Sequence, residues 1–267
     1  MSIKRNRMLA WAAMYGVLVV LAALWIYPLV IAIVKSFAVG GFANYSAVLN
    51  HERFNYWAAI GNSFLIAGLS TVGIVVLSTL GGFAFSQMRF RGRVFLYRAL
   101  LAGLAIPVAS VITPLFFSIN TVGLRDTHVG VILPIVAFNV LTMLLLMKNH
   151  FDGIPPELLE AATIDGARPL RVLVSIFLPI SGPVLANISV LSFVYSWNEY
   201  LLPNLLLSDD SKFPVTVAVG LLQYQKMSQE QIGQLYAGLI LLTIPSVLVY
   251  LFSQRYLQAG LTAGAVK

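Results

Sequence analysis

The sequence contains no cysteine, which excludes disulfide-stapled folds and zinc sites built on thiolates. It is also poor in charge, because only 10% of its 267 residues are Asp, Glu, Lys or Arg, whereas a soluble domain carries about 25%. The apolar fraction is 59% and the mean hydropathy is +0.86. This balance argues against a soluble domain and predicts an integral membrane protein.

Several kinds of functional residue are missing as well. No GxxxxGK[ST] segment is present, so the chain has no phosphate loop with which to bind ATP itself. The three histidines are isolated, and no cluster of nucleophile, base or metal ligands occurs, which argues against an enzyme and against a metal site. No acid or base lies near the centre of an apolar run, where an ion-coupled carrier usually places one. An energy-driven process would therefore need a separate ATPase subunit.

What is present is a series of apolar runs between short clusters of charge. A helix needs about 20 residues to cross about 30 Å of hydrocarbon, and six runs are long enough. They lack the strict alternation of half-buried strands, so we predict an all-α membrane protein with six transmembrane helices in a single domain, residues 1–267. The predicted spans cover approximately residues 9–34, 59–85, 99–118, 129–147, 183–202 and 235–253.

The basic residues are divided unevenly between the segments that connect these spans. With a cytoplasmic amino terminus, twelve of the 17 fall on the cytoplasmic side and five outside. This asymmetry predicts that both termini and the connection 148–179 face the cytoplasm, and that the long connection 208–234 lies outside. The net charge of +7 therefore orients the chain in a membrane and gives no indication of a nucleic acid partner.

The connection 148–179 has a pattern of its own. Pro155 and Pro156 can open a helix, and Gly166 can close it as a left-handed cap. Glu157 and Glu160 enrich its first turn, where the helix dipole favours anions. A second amphipathic helix is predicted to begin at Pro169. Its apolar face recurs at helical spacing and contains Leu170, Leu173, Val174 and Phe177.

Within this connection the sequence resembles the membrane subunits of binding-protein-dependent ABC importers. Their signature is EAA, three residues, Gly, nine residues, Ile, one residue and Leu-Pro, and every spacing is matched from Glu160 to Pro179. The resemblance implies a type I ABC importer permease architecture, in which this segment is the coupling helix that inserts into the ATP-binding subunit. It assigns ATPase coupling to Glu157, Glu160, Ala161, Ala162, Asp165, Gly166, Ile176 and Pro179.

A second resemblance concerns the end of the fifth predicted span and the carboxyl terminus. Residues 196–207, SWNEYLLPNLLL, and the tail QAGLTAGAVK from Gln258 are similar to maltose-type permeases of carbohydrate importers. This resemblance implies a multi-pass protein of the inner membrane that makes or breaks no covalent bonds. It implies a homologous second permease subunit in a heterodimer, a dimer of ATP-binding subunits that holds ATP and Mg, and an extracytoplasmic solute-binding protein that contacts 208–234. No cofactor is expected on this chain.

The implied substrate is a carbohydrate. Glycerol-3-phosphate or another polar solute is the alternative, because importers of that substrate share this subunit pattern, and an ion-coupled carrier is the remaining one. Polar side chains in and near the fourth and fifth spans can hydrogen-bond sugar hydroxyls, although such groups also bond neighbouring helices. The candidates for the substrate path are Asn139, Asn187, Ser192, Tyr195, Asn198 and Glu199.

Overall fold

The computed structural model describes residues 2–224 and 226–265, with side chains at residue 11, 13–224 and 226–254. Within these ranges the regular elements are all helical and no strand occurs. The predicted all-α membrane fold is confirmed. The carboxyl-terminal tail that carried part of the resemblance has a described backbone as far as Ala265, and its side chains lie outside the described ones.

The helices have the following bounds in chain order. They are α1 (Ser2–Phe37), α2 (Phe42–Leu49), α3 (Tyr56–Gln87), α4 (Arg93–Gly103), α5 (Val108–Thr121), α6 (His128–Asp152), α7 (Pro156–Ile164), α8 (Pro169–Val172), a π-helical segment (Leu173–Phe177), α9 (Leu178–Ile180), α10 (Gly182–Trp197), α11 (Leu201–Leu206), a 3₁₀ turn (Asp210–Lys212), α12 (Val215–Gly220) and α13 (Gln229–Ala265).

Among the described residues, four helical stretches are long and apolar enough to cross a membrane unaided. They correspond to the first, second, fourth and sixth predicted spans. They are Ala13–Phe37 in α1, Tyr56–Gln87 as the whole of α3, His128–Asp152 as the whole of α6, and Gln229–Gln254 in α13.

The third and fifth predicted spans are each interrupted. The α4–α5 pair bends by 101°, and Pro169–Ile180 bends by 86° against α10. Pro107 lies at the first break with extended backbone, ψ 133°. Proline has no amide hydrogen, so it cannot donate the hydrogen bond that would continue α4 into α5. Six spans result when each bent pair is counted as one. The structure also ends α10 at Trp197, so the predicted span 183–202 stops short and α11 follows as a separate helix.

The chain divides into two compact units, and the first comprises residues 1–52 and 219–244. Its centre is the buried Asn44, whose amide donates to the carbonyls of Ser36 and Ala38 at 2.9 and 3.0 Å. Gly233 in α13 packs against Asn44 so closely that a Cβ would overlap its amide. Asn44 thus joins α1, α2 and the start of α13 within this unit.

The second unit comprises residues 53–218 and 245–267, and α3 packs there against α6 and α10. Glycines let α3 and α6 approach each other closely. A Cβ on Gly82 would lie 2.8 Å from the Cβ of Met147 and 3.0 Å from the backbone nitrogen of Lys148. These two helices therefore form the centre of the unit. Helix α7 and the π-helical segment pack against them.

Candidate functional site

Helix α7 is closed by local chemistry on which the EAA pattern depends. Gly166 has φ +76°, as the sequence predicts for a left-handed cap. Its amide donates to the Thr163 carbonyl at 3.0 Å, and the Ala167 amide donates to the Ala162 carbonyl at 2.9 Å. These two bonds form a Schellman motif, which satisfies the last carbonyls of the helix. The chain therefore leaves α7 in one fixed direction.

One side of α7 is anchored and the other is free. Ala162 is 6% exposed, and Leu159 packs beside it against the core of the second unit. Ile164, by contrast, is 86% exposed. Four further residues of α7 and its end are exposed on this side, namely Glu157, Glu160, Ala161 and Asp165. Because none of these three carboxylates forms an ion pair among the described residues, the free side can bind another protein without first breaking a salt bridge.

The anchored side of α7 lies on a core containing three phenylalanine rings. Phe83 of α3, Phe151 of α6 and Phe177 of the π-helical segment meet pairwise, with ring centroids 5.2 to 6.1 Å apart and edge-on orientations. Such edge-to-face pairs are favourable and have a defined geometry. Each ring is at most 4% exposed. We refer to them as the aromatic triad, and they connect the seat of α7 to both central helices.

The segment after Pro169 departs from the single apolar face predicted for it. Leu173 and Phe177 are buried, but Leu170 and Val174 are 64% and 53% exposed. The structure contains a π-helical segment over Leu173–Phe177, and the wider π turn rotates the following residues relative to an α-helix. The four residues are therefore divided in the structure, with Leu173 and Phe177 in the core and Leu170 and Val174 on the surface.

The remaining coupling candidates divide between support and surface. Ile176 is half-buried and packs on the same core as α7. Pro179 lies in α9 and is exposed. The EAA pattern thus contains two kinds of residue. Glu160, Ala161 and Gly166 form or shape the free surface, whereas Ala162 and Ile176 hold it in place.

The ends of α3 and α6 beside α7 are tied together by polar side chains. Ser86 donates to Asp152 at 2.6 Å, and Gln87 donates to the Phe151 carbonyl at 2.9 Å. Lys148 forms an ion pair with the same Asp152 carboxylate. The structure therefore brings the predicted connection after the second span and the start of 148–179 to one end of the unit.

The candidates for the substrate path do not form one cluster of free polar groups. Asn139 and Asn198 each donate to a carbonyl of their own helix, Ile135 and Val194 respectively, at 2.8 Å. Ser192 is fully buried, and its hydroxyl has no partner among the described atoms. The side-chain amides of Asn139 and Asn198 thus already form hydrogen bonds within the protein, whereas the Ser192 hydroxyl is buried.

Two path candidates lie on an open surface. Tyr195 and Asn198 are both exposed, and they are three residues apart at the end of α10, which places them on one side of that helix. Asn187 is half-buried two turns earlier. Glu199 has a structural task, because its Oε1 accepts the Leu202 amide at 3.1 Å and caps the start of α11.

A further polar centre lies at the opposite end of the second unit, around Asp126. Its carboxylate accepts the amides of Ser208 and Asp209 at 2.9 and 3.1 Å, and Lys212 pairs with it at 3.0 Å. The bond from the Ser208 amide, followed by those from Lys212 and the Asp209 amide, lowers the pKa of Asp126 to about 2. Nearby, Asn62 of α3 donates to the Ser211 carbonyl at 2.8 Å. The start of 208–234 is therefore held as an ordered segment.

Comparison with known proteins identifies the family. The profile described as "Binding-protein-dependent transport system inner membrane component" matches residues 76–263. The chain belongs to this family. It is 33% identical to the trehalose transport system permease protein SugB of Mycobacterium tuberculosis, over 85% of this chain and 82% of the relative. It is also 33% identical to the maltose/maltodextrin transport system permease protein MalG of Salmonella typhimurium, over 94% of each.

A solved structure supports the fold of this permease. A chain of a bacterial ABC transporter involved in the import of the acidic polysaccharide alginate superposes with a TM-score of 0.80 at 24% identity, covering 94% of this permease and 98% of that chain. The permease is thus a multi-pass inner membrane protein of the ABC importer family, as the resemblance of its sequence implies.

Sequence reasoning missed two groups of residues that position these surfaces. Phe83 and Phe151 of the aromatic triad, and Ser86 and Asp152, are more than sixty positions apart, so no local spacing reveals their contacts. Asp126 left a weak local signal, because it precedes Thr127, which caps α6 with its side chain. An acidic residue before a helix cap indicates a turn, but it does not indicate the distant amides that Asp126 binds.

Proposed function

We propose that this permease forms half of the translocation pathway of an ATP-driven importer and that α7 docks on a separate dimer of ATP-binding subunits. The observation that carries the proposal is the division of α7 into an anchored and a free side. Ala162 is buried, whereas Ile164 is 86% exposed beside unpaired carboxylates. This exposed side lies within the EAA pattern, Glu160 to Pro179, by which the sequence resembles the coupling segment of ABC importers, and the fixed seat of Ala162 holds it ready to contact a partner protein.

The core beneath α7 explains how docking would move the pathway. A displacement of α7 acts on Ala162 and Leu159, which lie against the same core as the aromatic triad. Phe83 and Phe151 belong to α3 and α6, and packed interiors transmit strain with little compression. ATP and Mg bound by the ATPase subunits would thus change the positions of the central helices without any covalent chemistry on this chain.

We infer that the substrate is a carbohydrate. The two relatives described above are named for trehalose and for maltose and maltodextrin. Tyr195 and Asn198 offer an exposed hydroxyl and amide on one side of α10, and both groups donate and accept hydrogen bonds as sugar hydroxyls require. These two residues are our candidates for direct contact with the substrate.

The proposal includes the orientation and the other partners. The end that carries α7 faces the cytoplasm together with both termini, and the end that carries Asp126 faces outward. An extracytoplasmic solute-binding protein docks at the outer end, and a homologous second permease completes the pathway. Support comes from a solved alginate ABC transporter in complex with a periplasmic protein that holds an alginate pentasaccharide, which matches this fold with a TM-score of 0.69. In permease made without its ATP-binding subunits, a cysteine at Ile164 should react with impermeant reagents only from the cytoplasmic side.

The experiment compares two glycines that both have a left-handed backbone conformation. Gly166 and Gly123 have φ +76° and +72°, and a Cβ would meet nothing within 4 Å at either. Valine at each position adds a similar strain of roughly 1 to 2 kcal/mol, but only Gly166→Val redirects the end of α7. We expect Gly166→Val to lose co-purification of the ATPase subunits or substrate-stimulated ATP hydrolysis, while Gly123→Val retains both.

A charge reversal provides a second, independent arm. Glu160→Lys places a cation on the free side of α7, where an unpaired charge in an interface costs several kcal/mol. Glu52→Lys reverses an exposed carboxylate elsewhere and is the matched control. If both α7 variants bind the ATPase and import substrate at the normal rate, α7 is only a surface connection between two spans and the proposal is wrong.

A further inference from the structure

The turn between α3 and α4 and the start of α4 concentrate positive charge. Residues 89–98 read RFRGRVFLYR and contain four arginines. No Asp or Glu occurs anywhere from residue 53 to residue 125. The sequence around this turn therefore supplies no local counter-charge.

Within the described part of the chain, one of the four arginines forms hydrogen bonds inside the fold. Arg93 donates to the Ser86 carbonyl at 3.2 Å and to the Met88 carbonyl at 3.3 Å, which satisfies the end of α3. Arg89, Arg91 and Arg98 are exposed and make no ion pair or side-chain hydrogen bond within the ranges that the structure describes. Three guanidinium groups are thus available to an external anion.

Helix α4 has one side attached to the protein and one side open. Tyr97 lies on the attached side, with its ring 5.7 Å from that of Phe85 and under the Lys148 ammonium at 5.0 Å. On the open side Val94 is 62% exposed and Phe95 is 75% exposed. We call Arg89, Arg91 and Arg98 with these two apolar residues the basic face.

The direction of α4 is that expected for a helix at the border of the membrane. The apolar helix α3 ends at Gln87, and α4 follows after a short turn. Helix α4 bends by 101° against α5, so it runs nearly at right angles to the helix with which it would share a span. A short helix across the end of a span, with cationic and aromatic side chains, is typical of an interfacial helix.

The acidic groups on the neighbouring elements do not neutralise the positive charge of the basic face. Asp152 is already paired with Lys148 and bonded by Ser86. Glu160 of α7 lines a cavity of about 950 Å³ together with Arg89 and Arg93, but it forms no ion pair with either in the described structure. The basic face therefore keeps its positive charge.

We propose that the basic face binds the headgroups of anionic phospholipids. Guanidinium groups bind phosphate through two parallel hydrogen bonds, and Val94 and Phe95 would enter the boundary between headgroups and acyl chains. A purely acidic protein partner would match the arginines but would leave these apolar side chains unexplained. The basic face and the free side of α7 border one cavity, through Arg89 and Glu160, but the inference does not rest on the proposed docking of α7, because it predicts a lipid contact at α4.

Because this chain contains no cysteine, one introduced cysteine can be labelled on it, and the test uses the chain in lipid nanodiscs with its co-purifying subunits, whose own cysteines are replaced. A fluorophore is attached at Leu96→Cys, beside the basic face, or at Val122→Cys in the turn after α5; these side chains are 46% and 65% exposed. The quenchers are brominated phosphatidylglycerol and brominated phosphatidylcholine at equal mole fraction. We expect phosphatidylglycerol to quench the Leu96 site at least about twofold more strongly, with less preference at high salt and none at the Val122 site.

Charge variants decide whether the arginines cause the preference. Arg89→Gln, Arg91→Gln and Arg98→Gln together should remove it, whereas Arg168→Gln with Arg171→Gln, also exposed, should leave it unchanged. Equal quenching by both lipids in the native protein, or a preference that survives the triple change, overturns the proposal. So does weak quenching by both lipids that rises only after the co-purifying subunits are removed, because a protein then covers the face.

Discussion

Lys212 and Asp126 are joined at two points, since the lysine ammonium donates to the backbone carbonyl of Asp126 at 2.9 Å and to its carboxylate at 3.0 Å. The same carboxylate holds the amides of Ser208 and Asp209. Asp126 has φ 58°, an uncommon backbone angle that Asp tolerates better than most residues. One side chain thus fixes a turn and the loop that starts 82 positions later.

Asp126→Ala should release this outer segment without unfolding the spans. We expect faster hydrogen exchange at the amides of Ser208 and Asp209, because both lose their acceptor. Asp210→Ala is the control, since Asp210 forms an exposed ion pair with Arg53 at 3.7 Å and such pairs contribute little. Unchanged exchange at both amides in Asp126→Ala would show that the loop is held by other contacts.

The low pKa of Asp126 predicts the pH range of this attachment. Its folded value of about 2 lies below the value of about 3.9 for an unfolded Asp. Its contribution to stability is therefore fully present above about pH 4 and is lost as the pH falls through the folded pKa. We expect exchange at Ser208 and Asp209, corrected for intrinsic rates, to show constant protection between pH 5 and 8. A loss of protection near pH 6 would contradict the assignment.

Local rules were sufficient to predict the shape of α7. Proline at its start and glycine after its end have positional preferences that depend on neighbouring backbone atoms alone. The structure accordingly begins α7 at Pro156 and places Gly166 at positive φ. The four uninterrupted spans were predictable for the same reason, because length and hydropathy are properties of a continuous segment.

Features that depend on competing distant contacts could not be predicted. The periodicity after Pro169 is compatible with an α-helix, whereas the structure has a π-helical segment there whose Phe177 contacts rings from α3 and α6. Similarly, the bonding potential of Asn139 and Asn198 is visible in the sequence, but the use of that potential within their own helices is not. Hydropathy likewise gives no information on the 101° bend between α4 and α5.

The close approach of α3 and α6 gives a prediction about assembly of the core. Gly82→Ala should weaken the fold by about 1 to 3 kcal/mol, the usual cost of overpacking, because its Cβ would lie 2.8 Å from that of Met147. Gly68→Ala in the same helix meets nothing within 4 Å and is the matched control. Thermal unfolding in detergent measures the difference, and equal midpoints for the two variants would contradict this packing.

The exposed pair on α10 gives a prediction about transport. Tyr195→Ala and Asn198→Ala should each reduce carbohydrate uptake between about twofold and tenfold, since a lost hydrogen bond costs about 0.5 to 1.5 kcal/mol. Complex assembly and basal ATP hydrolysis should stay normal. Tyr27→Ala, at a 64% exposed tyrosine on α1, controls for the loss of an aromatic surface. Normal uptake in both α10 variants would remove these residues from the pathway.

The exposed Ile164 has a consequence for the life of the protein in the cell. A chain made without its partner keeps this side chain and the 41% exposed Leu158 in contact with water. Exposed apolar residues of this kind are what chaperones and proteases recognise on incompletely assembled subunits. The surface proposed for docking would therefore also mark surplus permease for removal, so that the amount retained in the membrane follows the supply of its partner.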